Sequence, residues 1–260
     1  MNAAVPPAVE PSLAAWLAGR IHHETYAALA ERLAWEVSEP GGRCPTLVVC
    51  ELEPIITVGR LGSRSDVAFT DDELRALGLG VRFTGRGGGA VLHGPGQVFA
   101  ALFASLESLG LGRHGVGAYL DRLEAGVEAA LDTLRCDTRR VPGTPGVFGR
   151  SGLLAAVSVA VRRGVACHGA FVNVSPALGP YQRVQTVSDR DRRGGVSGGG
   201  TMGSVEADVR RRVRMADART ALVRGIGDAF GFTRVHVHAG FPLRLEAPVR
   251  PVPEVFSRVG

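Results

Sequence analysis

The chain has 260 residues, 45% of them hydrophobic, with a formal charge of +5 and a pI near 9.5, which suits a single sizeable buried core. No apolar run is long enough for a membrane span and residues 1–11 lack the basic and apolar regions of a secretory signal, so a cytoplasmic location without membrane contact is expected. All 30 basic residues are arginine, which excludes chemistry that needs a lysine amine as base, Schiff-base former or adenylate clamp, because a guanidinium keeps its proton near neutrality.

After a Pro- and Ala-rich start, Tyr26, Leu29, Leu33 and Val37 recur at helical spacing and predict an amphipathic helix ending at Ser38-Glu39-Pro40. Residues 46–52 and 55–58 predict two buried strands split by Pro54, followed by the loop Gly59-Arg60-Leu61-Gly62. Thr70 with Glu73 forms a capping box for a short helix closed at Gly78. Residues 81–84 and 98–103 predict strands around a glycine-rich turn, and Leu120, Leu123, Val127, Leu131 and Leu134 mark a helix whose apolar stripe must lie on a sheet. Residues 153–161 form one apolar strand that turns at Arg162-Arg163-Gly164 and returns over 170–174. The six glycines of 194–203 suggest a mobile loop. One basic helix over 205–230, an edge strand over 234–238 and an irregular tail from Ala247 complete the chain. This order implies an α/β (α+β) fold, helices packed on a mixed sheet, in one domain over 21–231 with extensions at 1–20 and 232–260; a monomer is expected.

The most informative run is Arg86-Gly87-Gly88-Gly89-Ala90-Val91-Leu92-His93-Gly94-Pro95-Gly96-Gln97, lying between two strands. Successive glycines let backbone N–H groups approach a ligand carbonyl or phosphate, and Arg86 and His93 offer polar anchors. The run lacks the GK[ST] ending of a P-loop, and its glycines do not open a helix as a dinucleotide fingerprint requires. The residues alone leave a ligand loop and a structural turn both open. Cys44, Cys50, Cys136 and Cys167 are scattered without a CxxC pair, so neither a disulfide framework nor a zinc site is indicated. His236 and His238 alternate on the last strand and could share a face, yet no third metal ligand accompanies them.

Arg86, Gly87, Gly88, His93, Pro95, Gly96 and Gln97 match the signature R-G-G-x-x-T-Y-H-x-P-G-Q of the octanoyltransferases of lipoate biosynthesis, departing from it at Val91 and Leu92. Arg162-Arg163-Gly164 through His168-Gly169 to Asn173-Val174 resembles the family's R-R-G-x-x-x-H-G-x-x-x-N-V, Pro145-Gly146-Val147-Phe148 its P-G-V-[YW], and Pro54 with Thr57-Val58-Gly59-Arg60 its P-x-x-T-x-G-R. The resemblance implies the cofactor-transferase fold shared by biotin and lipoate protein ligases. It implies a binding site built from Arg86, Gly87, Gly88, Gly89, Ala90, Val91, Leu92, His93, Ala156, Val157, Ser158, His168, Gly169, Ala170 and Phe171. A medium-chain acyl group, acyl carrier protein and lipoyl domains are the implied partners, with no cofactor, metal or nucleic acid.

In that family a cysteine takes the octanoyl group from acyl carrier protein as a thioester, a lysine activates the cysteine, and a lipoyl-domain lysine receives the group. Such a nucleophile needs a thiolate and a nearby cation. Counting forward from His168-Gly169 without a gap, the family's F-x-R-I-x-P-C-G falls on Tyr181, Arg183, Val184, Thr186, Val187 and Ser188, so its cysteine position is Val187. Counting back, K-I-A-A-I-G falls on residues 153–158, so its lysine position is Leu153. The expectation is a divergent member impaired in covalent catalysis that keeps an acyl or lipoyl-domain binding role. The alternative is an active acyltransferase with Cys167, beside His168, as relocated nucleophile.

Overall fold

The computed structural model describes residues 11–187 and 201–242. In the first half lie β1 (Ser12–Ile21), β2 (Thr46–Leu52), β3 (Ile55–Val58), β4 (Gly80–Phe83), β5 (Ala90–His93) and β6 (Gln97–Ser105). The second half carries β7 (Arg139–Val141), β8 (Thr144–Gly149), β9 (Gly152–Val157), β10 (Ala160–Arg162), β11 (Val165–Cys167), β12 (Gly169–Asn173) and β13 (Arg234–Ala239). The helices are α1 (His23–Ser38), α2 (Asp71–Ala76), α3 (Val116–Thr133), α4 (Leu178–Tyr181), α5 (Val205–Val209) and α6 (Met215–Ala229).

A ten-stranded sheet runs β13-β1-β2-β6-β12-β9-β8-β7, with β10 and β11 joined to it through β6, and a small sheet runs β4-β3-β5. The large sheet is mixed: β1 is parallel to both β2 and β13, while β2, β6, β12, β9 and β8 pair antiparallel. Both of its faces are covered, and this is why β2 and β6 are apolar at nearly every position rather than alternating. Leu47, Val49, Val98, Ala100 and Leu102 pack beneath α3 and α6, whose contact residues include Tyr119, Leu123, Val127, Leu222 and Ile226. Val48, Cys50, Phe99, Ala101 and Phe103 point the other way, toward Tyr26, Leu29 and Leu33 of α1 and toward the small sheet. Of the site residues expected from sequence, Ala90, Val91, Leu92, Ala156 and Phe171 lie in this second layer.

Four elements differ from the expectations. Residues 90–93 are not part of a continuous loop but a strand, pairing antiparallel with β3 through Ile55↔His93 to Val58↔Ala90; their four apolar or amphipathic side chains were masked by the glycines before and after them. The apolar strand expected over 153–161 is broken at Ser158 and Val159 into β9 and β10. That break frees the Val159 carbonyl to accept a hydrogen bond from Gly87 N–H at 3.0 Å, which docks the glycine loop. The basic helix expected over 205–230 is two helices, α5 ending at Arg210 in the left-handed region (φ 54°). Finally, Ser12–Ile21 and Arg234–Ala239, placed in the terminal extensions from sequence, are adjacent strands of the large sheet. The edge strand expected over 234–238 is β13. Most of the glycine-rich segment 194–203 and the whole tail from Ala247 lie outside the described residues.

Candidate functional site

Thr57 on β3 is the hub of a buried polar chain between the two sheets. Its hydroxyl oxygen accepts from Arg86 Nη2 at 2.8 Å and Nε at 3.2 Å, and its carbonyl accepts from Nη2 at 2.8 Å. Since that oxygen already accepts from Arg86, its single proton is directed to His93 Nε2, 2.8 Å away. His93 Nδ1 therefore carries the ring proton and donates to Gln97 Oε1 at 2.8 Å. Gln97 Nε2 in turn donates to the Leu92 carbonyl and to Asn173 Oδ1, and Asn173 Nδ2 donates to the Gly203 carbonyl at 3.0 Å. Every donor in this chain meets an acceptor, the condition under which a buried polar network stabilises rather than costs.

The electrostatics follow from burial. Arg86 is 2% exposed, and no carboxylate pairs with it among the described residues; burial pushes its guanidinium down to about 9, so it remains a cation at neutrality. Burial, then the Arg86 charge, push both His93 and His168 down to about 3, and both rings are neutral. Arg86 also lies 5.5 Å from the centre of the Phe171 ring, a favourable place for a cation without a counter-charge.

Beside this chain is a cavity of about 50 Å³ whose lining includes Arg86, Gly88, Gly89, Ser158, Leu153 and Val187, with Val91, Ala156, Val157 and Phe171 also in its wall. The segment bearing Val187 crosses directly over the loop: a Cβ on Gly89 would come within 2.6 Å of the Thr186 carbonyl oxygen, so only glycine fits there. Arg183 fastens that segment. Its guanidinium donates to both oxygens of Glu73 at 2.9 and 2.8 Å and stacks 4.0 Å from the centre of the Phe69 ring, and those hydrogen bonds hold the Glu73 carboxyl down to about 2. Gln185 N–H donates to the Asp66 carbonyl at 2.7 Å. The Ser158 hydroxyl, 5% exposed, has no hydrogen-bond partner among the described residues.

The sequence-predicted residues divide clearly. Arg86, Gly88, Gly89, Val91, Ala156, Val157, Ser158 and Phe171 meet at the cavity. Gly87 holds the loop to Val159, while Leu92 and His93 face a separate, larger cavity. Ala90 is buried in β5. Ala170 points to the opposite face of the large sheet, among the residues under α3 and α6. Gly169 serves packing, since a Cβ there would meet the Ala100 carbonyl oxygen at once. Thr57, Gln97 and Asn173 were not among the predicted binding residues, though each stood in a matched motif; a hydroxyl and two amides at fixed motif positions were the available signal.

A family model, the lipoyl protein ligase A/B catalytic domain, matches residues 23–227. The chain belongs to the lipoyl protein ligase A/B catalytic domain family. It is 30% identical over 201 residues to an octanoyltransferase of Geotalea uraniireducens, covering 77% of this chain and 85% of that protein. It is 32% identical over 221 residues to an octanoyltransferase of Nitrobacter hamburgensis, covering 80% and 82%. Among solved structures it resembles lipoate-protein ligase A bound with ATP, at TM-score 0.67 and 18% identity over 88% of this chain and 90% of that one. It also resembles the bi-partite lipoate protein ligase of Thermoplasma acidophilum, at TM-score 0.61 and 19% identity over 88% and 86%. The fold is thus that of the lipoate protein ligases.

Leu153 and Val187, expected from the motif count to stand at the octanoyltransferase lysine and cysteine positions, come from distant parts of the chain and line the same cavity. Both are buried, and neither side chain can form a thioester or move a proton. Cys167 does not line that cavity. His168, in the left-handed region at φ 70°, breaks the pleat between β11 and β12, but the Cys167 sulfur is directed to the Ala160 and Val165 carbonyls, at 3.4 and 3.7 Å. Burial pushes its thiol up to about 11, leaving almost no thiolate at neutral pH. His236 and His238 lie on β13, where the His238 ring stacks on Trp16 at 4.4 Å. Among the described residues no helix is long and apolar enough to cross a membrane.

Proposed function

We propose that this chain is a member of the octanoyltransferase branch that binds a carrier or acceptor domain of protein lipoylation without forming a covalent acyl-enzyme. Its relatives are named octanoyltransferases, which ties the chain to octanoyl transfer as a class. The observation that carries the narrower reading is the meeting of Leu153 and Val187 at one cavity beside an intact Arg86–Thr57–His93 network. Removing a nucleophile in an enzyme of this logic lowers turnover by roughly a millionfold. Large aliphatic replacements at both positions favour a site kept closed and packed. A cavity of about 50 Å³ is also well below the roughly 300–1,000 Å³ of ordinary ligand pockets. Recognition of the protein partner, rather than capture of its acyl chain at this point, is what the geometry favours.

The buried, high-pKa thiol of Cys167 weighs against a relocated nucleophile. Intact-mass spectrometry after incubation with octanoyl-acyl carrier protein tests both readings. The wild type and Cys167→Ser should remain unmodified, whereas Val187→Cys combined with Leu153→Lys should gain an octanoyl adduct. An adduct on the wild type that Cys167→Ser abolishes would overturn the proposal.

A further inference from the structure

Far from the small cavity, β13 ends the large sheet, paired with β1 on one side and with no other strand among the described residues. All six of its residues are exposed, Val237 by 58%. It has neither proline nor bulge, two devices that commonly blunt an open edge. Arg234 N–H donates to the Pro11 carbonyl at 3.3 Å and Gly240 N–H to the Leu17 carbonyl at 3.0 Å, so both turn toward β1. Backbone groups alternate along a strand, and Val235, Val237 and Ala239 therefore direct their N–H and C=O groups outward.

This edge is also palindromic. Val235-His236-Val237-His238-Ala239 reads aliphatic, imidazole, aliphatic, imidazole, aliphatic in either direction. A second copy laid antiparallel, with the two-fold axis at Val237, sets Val235 opposite Ala239 and Val237 opposite Val237 as hydrogen-bonded pairs. His236 then stands opposite His238 of the second copy in the closer, non-hydrogen-bonded kind of pair, with Cα atoms about 4.5 Å apart. The arginines at position 234 fall at opposite ends of the joint, so the register sets no cation against its own kind.

Val235 and Val237 line a groove beside α6, so the two histidines occupy the other face of the strand. There the His238 ring stacks on Trp16 with centres 4.4 Å apart. A stack engages the ring face and leaves the edge nitrogens for a ligand. Within one chain no third metal ligand accompanies the pair among the described residues; a second copy supplies two more imidazoles on the same face. Four imidazoles suit a tetrahedral zinc ion, whose Zn–N bonds are about 2.0–2.1 Å. A joint of one short strand falls below the roughly 1,000 Å² that a stable interface needs, so the metal must supply the remainder.

We propose that two copies of this chain join edge to edge through β13 and hold one zinc-type divalent ion on His236 and His238 of both.

Sedimentation velocity of the full chain at pH 8, first in EDTA and then in zinc chloride, tests this. The chain should sediment as a monomer in EDTA and as a dimer in zinc, with one zinc per two chains by atomic absorption. His236→Gln removes two of the four ligands. Val237→Pro removes the central outward N–H while leaving the bonds to β1 intact. Each variant should stay monomeric in zinc. Both positions are exposed, circular dichroism checks that each variant folds, and either one that does is sufficient for the test. The proposal is overturned if zinc leaves the wild type monomeric, if a dimer forms equally in EDTA, if zinc drives larger aggregates instead, or if the zinc dimer survives His236→Gln.

Discussion

Thr57 shows how one hydroxyl sets the protonation of a whole site. With two Arg86 nitrogens donating to it, its proton has one direction, and the His93 tautomer follows without reference to any substrate. Thr57→Val keeps the shape but leaves the His93 Nε2 acceptor and two guanidinium donors without partners. A loss of about 2–4 kcal/mol is expected, and Thr57→Ser should recover most of it; urea denaturation of the three proteins measures this. A valine variant as stable as wild type would mean that water replaces the hydroxyl. At this scale motif spacing named Arg86, His93, Leu153 and Val187, and the fold brings Arg86, Leu153 and Val187 to one cavity with His93 in the adjoining hydrogen-bond chain. The direction of each hydrogen bond was not legible in the sequence, because it depends on which atoms the fold brings within 3 Å.

At the scale of elements, the glycines of the long helices matter as much as those of the loop. Gly126 on α3 and Gly225 on α6 let the helix backbones touch: a Cβ on Gly225 would lie 2.3 Å from the Gly126 carbonyl oxygen, and one on Gly126 would lie 2.8 Å from that of Gly225. Gly225→Val must push apart two helices that both rest on the large sheet, and a cost of about 3 kcal/mol is expected, visible as a lowered urea midpoint. An unchanged midpoint would show that the pair can separate freely. The crossing was invisible in sequence, where a glycine inside a helix registers only as a weak helix former. Other misses have similar causes. β9 and β10 read as one strand because Val157, Val159, Ala160 and Val161 continue the apolar pattern through the break at Ser158. α5 and α6 read as one helix because the arginines between them have good helix propensity, and the left-handed Arg210 is a demand of packing rather than composition. β1 escaped notice because its alanines are poor strand formers and its strand state rests on β2 and β13 on either side.

For the whole molecule, the second layer of the core holds histidines that titrate with folding. His93 and His168 are each lowered to about 3 in the folded chain, chiefly by burial and then by Arg86, against an ordinary value of 6.5. A lowered pKa in a base means that the unfolded chain binds the proton first. The stabilisation from keeping both rings neutral is therefore complete above about pH 6.5 and is lost as pH falls from there toward 3. Two such groups give a limiting slope of about 2.7 kcal/mol per pH unit, reached between roughly pH 5.5 and 4. Arg86 adds no slope there, because it is protonated in both states below about 9. Urea unfolding at a series of pH values should accordingly show uptake of nearly two protons in that window, over and above the carboxylates. His168→Gln should reduce the uptake by about one. If the variant kept the wild-type slope, His168 would have to be accessible to protons in the folded state, and the closed layer between the two sheets would not be the chain's resting arrangement.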